Sequence, residues 1–243
     1  MPLRADASHR SEMVSQLLFG ECYKVLSFFP EWLEVECCFD GYHGFIAANQ
    51  HTGLSEPEFM RWRGLATRTA PKPLRLQCHE AQSVMTIPTA ATLPETMDTF
   101  SIGSHTFSLL EPVGTMPLKA ILDSYANAPY LWGGRTPWGL DCSGFTQAIF
   151  KTQGLALPRD ASQQQKMGSE TALSESCFCD LAFFCNAEGH IVHVGILLDN
   201  RHILHCSGFV RTDSIDGTGI FRESDRHYTH QLYSIRHIHN FKE

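Results

Sequence analysis

The sequence predicts an α+β protein in which a strand-rich N-terminal half precedes a half with helices first and strands afterwards. Short apolar runs with turn residues between them fill positions 11–50, which is typical of a small β-barrel. From Leu118 the apolar spacing becomes helical, and short apolar runs of strand length follow after residue 180. Helices first and an antiparallel sheet afterwards indicate the α+β class. The expected divisions are 1–52, 53–113 and 114–243.

Composition describes an ordinary globular chain of 243 residues, with a net charge of −7 and 43% hydrophobic residues. Lysine and arginine are scattered, which argues against a nucleic acid or an anionic membrane as partner. The first ten residues lack the apolar core of a signal peptide, so we expect a cytoplasmic protein, or a periplasmic one if a leader has been removed. The nine cysteines, an odd number, favour free thiols in a reducing compartment.

The first half is predicted to hold two β-rich modules. Asp40-Gly41 is a hairpin signal inside the first module. A short helix is expected near 57–62, and the irregular strands of 72–112 suggest a second barrel. The strands expected in the first module are 14–19, 22–29, 32–38 and 42–47.

The second half is predicted to begin with a helix over 118–125. Asp141 can cap a second helix over 141–152, which Gly154 ends, and Asp160 can cap a short third one. The strands expected after these helices are 181–185, 191–198, 202–206 and 232–238.

Cys142 stands at the start of the second helix, after the Gly- and Pro-rich stretch 130–141. Backbone N–H groups and the helix dipole favour negative charge at that position, which predicts a thiolate. Because a thiolate is a nucleophile, the sequence indicates a cysteine hydrolase.

A cysteine nucleophile needs a base and a group that orients the base. His193 and His205 lie on consecutive predicted strands joined by a tight turn, so their rings can lie side by side. Gly195 is expected to leave open space on the face that His193 occupies. A zinc site is the rival interpretation, with ligands from Cys142, His193, His205, Cys206, Cys177 and Cys179. No C-x-x-C or H-x-x-x-H pair supports it.

A series of motifs runs through the second half in order: Tyr130-x-Trp-Gly-Gly134, Asp141-Cys-Ser-Gly144, Gly154-x-x-Leu-Pro-Arg-Asp160, Asp180-Leu-x-Phe-Phe184, His193-Val-Gly-Ile196 and His205-x-Ser-Gly208. Through these motifs the second half resembles the NlpC/P60 cysteine peptidases, which have a papain-like α+β fold. The resemblance implies that Cys142 is the nucleophile, His193 the general base and His205 the orienting residue, with no cofactor and no metal.

The first half resembles a bacterial SH3 domain through residues 10–21, Trp32 and Asp40-Gly-Tyr-x-Gly-Phe45. SH3-like modules before an NlpC/P60 domain are similar to the γ-D-glutamyl-L-diamino acid endopeptidases, the YkfC-like group. Two positions depart from the resemblance. Cys179 stands where the family usually has glycine, and Phe45 stands where the SH3 strand usually has tryptophan.

The resemblance implies a muropeptide substrate with a free N-terminal L-Ala, whose amine needs an anion. Asp160 is the first candidate for that anion, although a plain helix cap is the alternative. Glu12 and Tyr42 of the SH3-like module are candidates for a wall that closes the cleft. The alternative is that Glu12 is a solvated glutamate and Tyr42 an exposed strand tyrosine. The remaining candidates for substrate contact are Trp132, as a pocket floor or a loop-packing residue, and Ser143 and Asp141 beside the nucleophile.

The expected function is therefore cleavage of the γ-D-glutamyl–diamino acid bond of muropeptides in cell-wall recycling, by a monomer. Two alternatives stay open: a murein hydrolase that acts on intact wall peptides, and a catalytically inactive cell-wall-binding protein. An acyltransferase lacks support, since no lipid-facing apolar segment is evident. The sequence leaves open whether the diamino acid is diaminopimelate or lysine.

Overall fold

The computed structural model describes residues 1–239. The chain divides into two compact units, Met1–Ile121 and Leu122–Glu243. None of the helices within residues 1–239 combines the length and the hydropathy that crossing a bilayer requires.

The N-terminal unit begins with a five-stranded antiparallel sheet in the order β2-β1-β5-β4-β3. Its inner face buries Leu3, Val35 and Ile46 completely. At the hairpin, Gly41 has a φ of +71°, and the Asp40 carboxylate accepts the Tyr42 N–H at 3.1 Å, as the turn signal predicts. The first strand was not predicted, and the other four lie within one to three residues of their predicted bounds. The strands are β1 (Pro2–Arg4), β2 (Met13–Gln16), β3 (Tyr23–Phe28), β4 (Trp32–Cys37) and β5 (His43–Ala47).

A second β-rich module follows in the same unit. Helix α1 (Glu56–Gly64) precedes it, with a capping box between Ser55 and Glu58. Trp62 of that helix is buried and donates from Nε1 to the Gly20 carbonyl at 3.0 Å. One sheet has the order β10-β11-β7-β8, and β6 pairs with β9. The strands are β6 (Thr67–Thr69), β7 (Leu74–Cys78), β8 (Ser83–Ile87), β9 (Thr92–Pro94), β10 (Thr99–Ile102) and β11 (His105–Leu109).

The helices of the second half agree with their predicted positions. The small hairpin of β12 (Arg135–Thr136) and β13 (Gly139–Leu140) lies in the glycine-rich stretch that leads to the central helix. That helix packs against the seven-stranded sheet of the C-terminal unit, and its face carries the buried Phe145 and Ile149. The helices are α2 (Leu118–Ser124), α3 (Cys142–Thr152) and α4 (Ala161–Gln164).

The sheet of the C-terminal unit has the order β14-β20-β15-β16-β17-β18-β19, and β19 also pairs with β20. That extra pairing closes six of the strands into a barrel. The apolar part of its interior includes Phe184, Leu197, Ile203 and Ile215. The strands are β14 (Ser169–Thr171), β15 (Leu181–Cys185), β16 (Ile191–Leu197), β17 (His202–Ser207), β18 (Phe209–Ile215), β19 (Gly219–Arg222) and β20 (His227–His237).

The prediction of an α+β catalytic half after small β-rich modules is confirmed. Strands β18 and β19 were not predicted, and β20 begins five residues before the predicted position 232. The alternate positions of β18 that face the barrel interior hold Arg211 and Asp213 before Ile215. The apolar alternation that identifies a strand in a sequence is therefore absent there.

Candidate active site

The start of helix α3 is built by Asp141 and three glycines. The Asp141 carboxylate accepts the Gly144 N–H at 2.7 Å and the Gly133 N–H at 2.9 Å, which confirms the predicted cap. A Cβ on Gly144 would lie 2.1 Å from the Gly134 carbonyl oxygen. Only glycine permits so close an approach of the loop to the helix, and this approach places Cys142 at the first turn.

Cys142 is buried, with 8% of its surface exposed. Its sulfur receives the backbone N–H groups of Ser143 and of Val194, the residue that follows His193 on β16. Burial and the nearby Asp141 carboxylate raise the pKa of the Cys142 thiol to about 12, against the lowering effect of the two N–H groups and Arg159. The predicted resting thiolate finds no support here, because desolvation opposes it more strongly than the helix start favours it.

Arg159 joins the two residues that flank the nucleophile. Its guanidinium donates to Asp141 Oδ1 at 3.1 Å, to Ser143 Oγ at 2.8 Å and, as an ion pair, to Asp141 Oδ2. Arg159 is 2% exposed and Asp141 6% exposed. The Asp141 carboxylate and the Ser143 hydroxyl therefore brace the start of α3. Their predicted contact with the substrate backbone stays a prediction.

The two predicted imidazoles lie side by side. His193 Nε2 and His205 Nδ1 are 2.8 Å apart, and both rings are buried. In the sheet register Gly195 stands directly opposite His205. A Cβ on Gly195 would lie 2.8 Å from His205 Cβ. The expectation of open space at Gly195 is therefore wrong, because the missing side chain makes room for His205 itself.

Three further residues surround this pair and were not predicted from the sequence. Asp213 Oδ2 is 3.0 Å from His205 Nε2 and accepts the Arg211 Nε–H at 2.8 Å. The His230 ring stacks on His193, with centroids 4.2 Å apart and an interplanar angle of 25°. Asp213 and Arg211 lie on β18 and His230 on the early part of β20, where no strand was expected. The sequence signal that could have revealed strand β18 was the short segment between the turn glycines Gly208 and Gly217.

The imidazoles of this cluster are held neutral. Desolvation lowers the pKa of His193 well below 6.5, and a charge on His230 or His205 would lower it further. Desolvation also lowers the pKa of His205, against the opposing effect of Asp213, and that of His230 to about 4. A neutral His193 is the form that can accept a proton from a thiol.

Asp160 and Trp132 lie in the C-terminal unit. Asp160 is the N-cap of α4 and is half-buried, so the predicted helix cap is present. Its predicted contact with a substrate amine stays a prediction. Trp132 is 59% exposed in the loop before β12, which leaves it accessible to a ligand, and its role as a pocket floor stays a prediction.

Glu12 and Tyr42 belong to the N-terminal unit. Glu12 is exposed, and its carbonyl accepts the Ala5 N–H at 3.0 Å. Tyr42 is half-buried and packs against the apolar core of the first sheet. Their role as a wall of the cleft stays a prediction.

Within residues 1–239, the side chains close enough to share a metal ion are Cys78, Glu80 and His105, with ligand atoms within 4.8 Å of one another. All three lie in the second β-rich module. The residues of the rival zinc interpretation do not form such a group in the part of the chain that the structure describes.

A buried cysteine at a helix start, packed against a sheet that carries paired imidazoles, defines the papain-like class of cysteine hydrolases. The sequence profile of the NlpC/P60 family matches residues 127–230, and that of the bacterial dipeptidyl-peptidase Sh3 domain matches residues 3–50. The C-terminal half is thus an NlpC/P60 domain, and the first module is a bacterial SH3 domain.

Curated relatives match part of the chain. The γ-D-glutamyl-L-lysine dipeptidyl-peptidase of Bacillus subtilis is 43% identical over 83 residues, which are 33% of this chain and 28% of that protein. The murein DD-endopeptidase MepS/murein LD-carboxypeptidase of Escherichia coli is 37% identical over 123 residues, 45% of this chain and 64% of that one. The chain therefore matches less than two thirds of either relative.

Solved structures show the same fold over nearly the whole chain. An NlpC/P60 family protein from Bacillus cereus superposes with a TM-score of 0.75 at 20% identity, covering 93% of this chain and 82% of that one. An NlpC/P60 endopeptidase from Photobacterium damselae gives a TM-score of 0.65 at 16% identity, covering 96% and 64%. These likenesses concern the fold alone.

Proposed function

We propose that this protein is a cysteine endopeptidase that cleaves the γ-D-glutamyl–L-diamino acid bond of cell-wall muropeptides with a free N-terminal L-Ala, in peptidoglycan recycling. The observation that carries the proposal is the placement of Cys142 at the start of α3, hydrogen-bonded to β16 next to His193. The named γ-D-glutamyl-L-lysine dipeptidyl-peptidase, 43% identical over 83 residues, supports the bond type.

The chemistry assigned to these residues is acyl transfer. As the Cys142 sulfur forms a bond to the γ-glutamyl carbonyl carbon, its proton passes to Nδ1 of His193. Because the resting thiol has a pKa of about 12, this transfer accompanies the attack. The backbone N–H of Cys142, at the first turn of α3, is the donor that we assign to the developing oxyanion.

The second half of the reaction returns the site to its resting state. His193 gives the proton to the amine of the leaving diamino acid, and the C–N bond breaks to leave a thioester on Cys142. Water then attacks the thioester carbonyl as His193 takes its proton. The C–S bond breaks, His193 returns the proton to the Cys142 sulfur, and L-Ala-D-Glu is released.

Selection of a free amine is assigned to Asp160. Asp160 directly follows Arg159, which is bonded to Asp141 and Ser143 beside the nucleophile, so its half-buried carboxylate lies on the segment that braces the catalytic helix start. A carboxylate can pair with the ammonium of L-Ala and leaves an acylated terminus unpaired.

A paired digestion tests the proposal. L-Ala-γ-D-Glu-diamino acid and its N-acetyl form, each with diaminopimelate and with lysine, are incubated with the protein and with a Cys142→Ala variant. We expect cleavage of the free-amine peptide at the γ-glutamyl bond, at least tenfold slower cleavage of the acetylated one, and none by Cys142→Ala. Equal cleavage of both forms would refute the free-amine selectivity.

A second candidate function, hydrolysis of intact murein, is favoured by the match to the E. coli murein endopeptidase. Release of soluble fragments from purified sacculi distinguishes the two. Fast release from sacculi with slow cleavage of the free tripeptide would support the murein hydrolase, and the reverse supports the muropeptide endopeptidase.

The role of Asp160 has its own variant. Asp160→Asn keeps the size of the side chain and removes its charge, so we expect KM for the free-amine peptide to rise about tenfold, as the loss of one charge-assisted hydrogen bond predicts. The acetylated peptide should be nearly unaffected. An unchanged KM for both peptides would leave Asp160 as a helix cap only.

A further inference from the structure

We propose that Asp213 is a positioning residue that fixes the tautomers of His205 and His193, and so leaves Nδ1 of His193 as the atom that takes the Cys142 proton. The proposal rests on the proposed role of His193 as general base. It concerns a residue that touches neither the nucleophile nor the base and acts through His205.

The hydrogen bond between Asp213 and His205 sets the first tautomer. Asp213 Oδ2 lies 3.0 Å from His205 Nε2. An ionised carboxylate can only accept hydrogen bonds, so the proton of a neutral His205 must be on Nε2. Nδ1 of the same ring then carries a lone pair and can only accept.

The second tautomer follows from the first. His205 Nδ1 lies 2.8 Å from His193 Nε2, so His193 must donate from Nε2. A neutral imidazole has one N–H, and His193 Nδ1 is therefore unprotonated. When the Cys142 proton arrives at Nδ1, His193 becomes an imidazolium that keeps its Nε2–H bond to His205. The Asp213 charge, one ring away, stabilises that cation.

Asp213 is kept ionised where it stands. Burial raises its pKa, but hydrogen bonds from His205 and Arg211 outweigh burial and lower the pKa to about 2. Arg211 donates from Nε at 2.8 Å to the same oxygen that faces His205. Burial of His205 opposes its protonation, and so do the positive charges of Arg211 and Arg222. The ring therefore stays neutral and carries a single N–H proton.

The strand pairing explains how Asp213 reaches His205. In the register of β17 and β18, His205 stands opposite Arg211, and Asp213 lies two positions further along β18 on the same face. Such diagonal neighbours on an antiparallel pair are within reach of long side chains. The histidine and both charged residues therefore meet at the barrel interior.

Asp213→Asn tests the proposal, because an amide of the same size can donate to His205 Nε2 and favour the opposite tautomers. In serine proteases the corresponding substitution lowers kcat by about 10⁴ through the wrong tautomer. We expect kcat to fall by about 10²–10⁴-fold here and KM to change by less than about threefold. Asp213→Glu, which keeps the charge, should recover part of the activity.

Nitrogen NMR of the imidazoles supplies a readout that needs no substrate. In the unmodified protein His193 and His205 should both show the Nε2–H form, and in Asp213→Asn the Nδ1–H form should appear. Asp199→Asn is the matched control, since Asp199 also bonds a histidine ring, His202, but in an exposed turn. It should leave both spectra and kcat unchanged.

The outcomes separate this proposal from the proposed function. A loss of kcat in Asp213→Asn with unchanged tautomers would show a merely structural role and overturn the proposal, as would unchanged kcat. If Asp213→Asn fails to fold, the unmodified protein still tests the proposal. Nδ1–H forms of His193 and His205 in its spectrum would overturn the proposal equally. Nε2–H forms in a protein that cleaves no γ-glutamyl peptide would refute the function and leave the tautomer assignment standing.

Discussion

Gly195 stands directly opposite His205, and a methyl group on it would lie 2.8 Å from His205 Cβ and 2.7 Å from Ile203 Cδ1. The absence of a side chain at Gly195 thus lets His205 lie beside His193. Gly195→Ala should displace His205 and lengthen its bond to His193. We expect kcat to fall by about 10–10³-fold, since misplacement by about 1 Å costs about 10². Steady-state kinetics on the tripeptide measure the effect.

Gly217→Ala is the control for this substitution, since its Cβ would meet nothing within 4 Å and its φ is not in the left-handed region. It should leave kcat within twofold, because added methyl groups in open space change little. A Gly195→Ala variant as active as this control would show that His205 is not held by the close approach.

Arg159 should be necessary for stability as well as for activity. Arg159→Met leaves the buried Asp141 carboxylate without its cation, and breaking a buried pair in this way costs about 3–5 kcal/mol. Urea unfolding measures the loss. Arg75→Met, at an exposed pair with Glu111, should cost less than about 1 kcal/mol. Equal losses in the two variants would contradict a structural role for Arg159.

The buried histidines should make the fold sensitive to mild acid. His230 has a pKa of about 4 in the folded protein, below its ordinary 6.5, because of burial. The unfolded chain therefore binds the proton first, so this stability is complete above pH 6.5 and lost as pH falls toward 4. With partial exposure taken into account, we expect His230 alone to contribute about 2 kcal/mol to the decline.

Urea unfolding at several pH values between 4.5 and 7.5 checks this. His230→Gln removes one titrating group and should flatten the decline by about the same amount. His202→Gln, at an exposed ring, is the control and should leave the slope unchanged. A slope that His230→Gln does not alter would contradict the assignment.

The reactivity of Cys142 should follow the pKa of a thiol rather than that of a preformed ion pair. With a pKa of about 12, its thiolate fraction rises tenfold per pH unit across pH 6–9. Alkylation by iodoacetamide, located by peptide mass spectrometry, should rise in the same way without a plateau. Alkylation of the exposed Cys177 is the control, because it shows how the reagent reacts with a cysteine outside the site. A rate for Cys142 that is already constant at pH 6 would indicate a resting thiolate.

The central helix and the histidine pair could be predicted because their signals are local. Asp141 followed by an apolar helical face identifies the start of α3, and consecutive strands joined by a tight turn place His193 beside His205. Cys179, noted as an unusual residue at a family glycine, has a φ of +70°. The structure thereby explains the glycine preference, since that conformation is costly for residues with a Cβ.

The remaining site residues depend on long-range pairing. Asp213 reaches His205 only through the register of β17 and β18, and His230 stacks on His193 across β15, which pairs with both β20 and β16. The burial that keeps Cys142 protonated is likewise a property of the assembled fold. The N–H groups that stabilise a thiolate follow from the local helix start, but the desolvation that outweighs them does not.

The central claim is that Cys142 forms a thioester with the γ-glutamyl carbonyl. Intact-protein mass spectrometry after acid quenching of the reaction with L-Ala-γ-D-Glu-diamino acid, followed by peptide mapping, tests it directly. The account predicts an adduct with the mass of an L-Ala-D-Glu acyl group on Cys142, absent from Cys142→Ala. Product formation by Cys142→Ala at an undiminished rate, or an adduct on another residue, would contradict it.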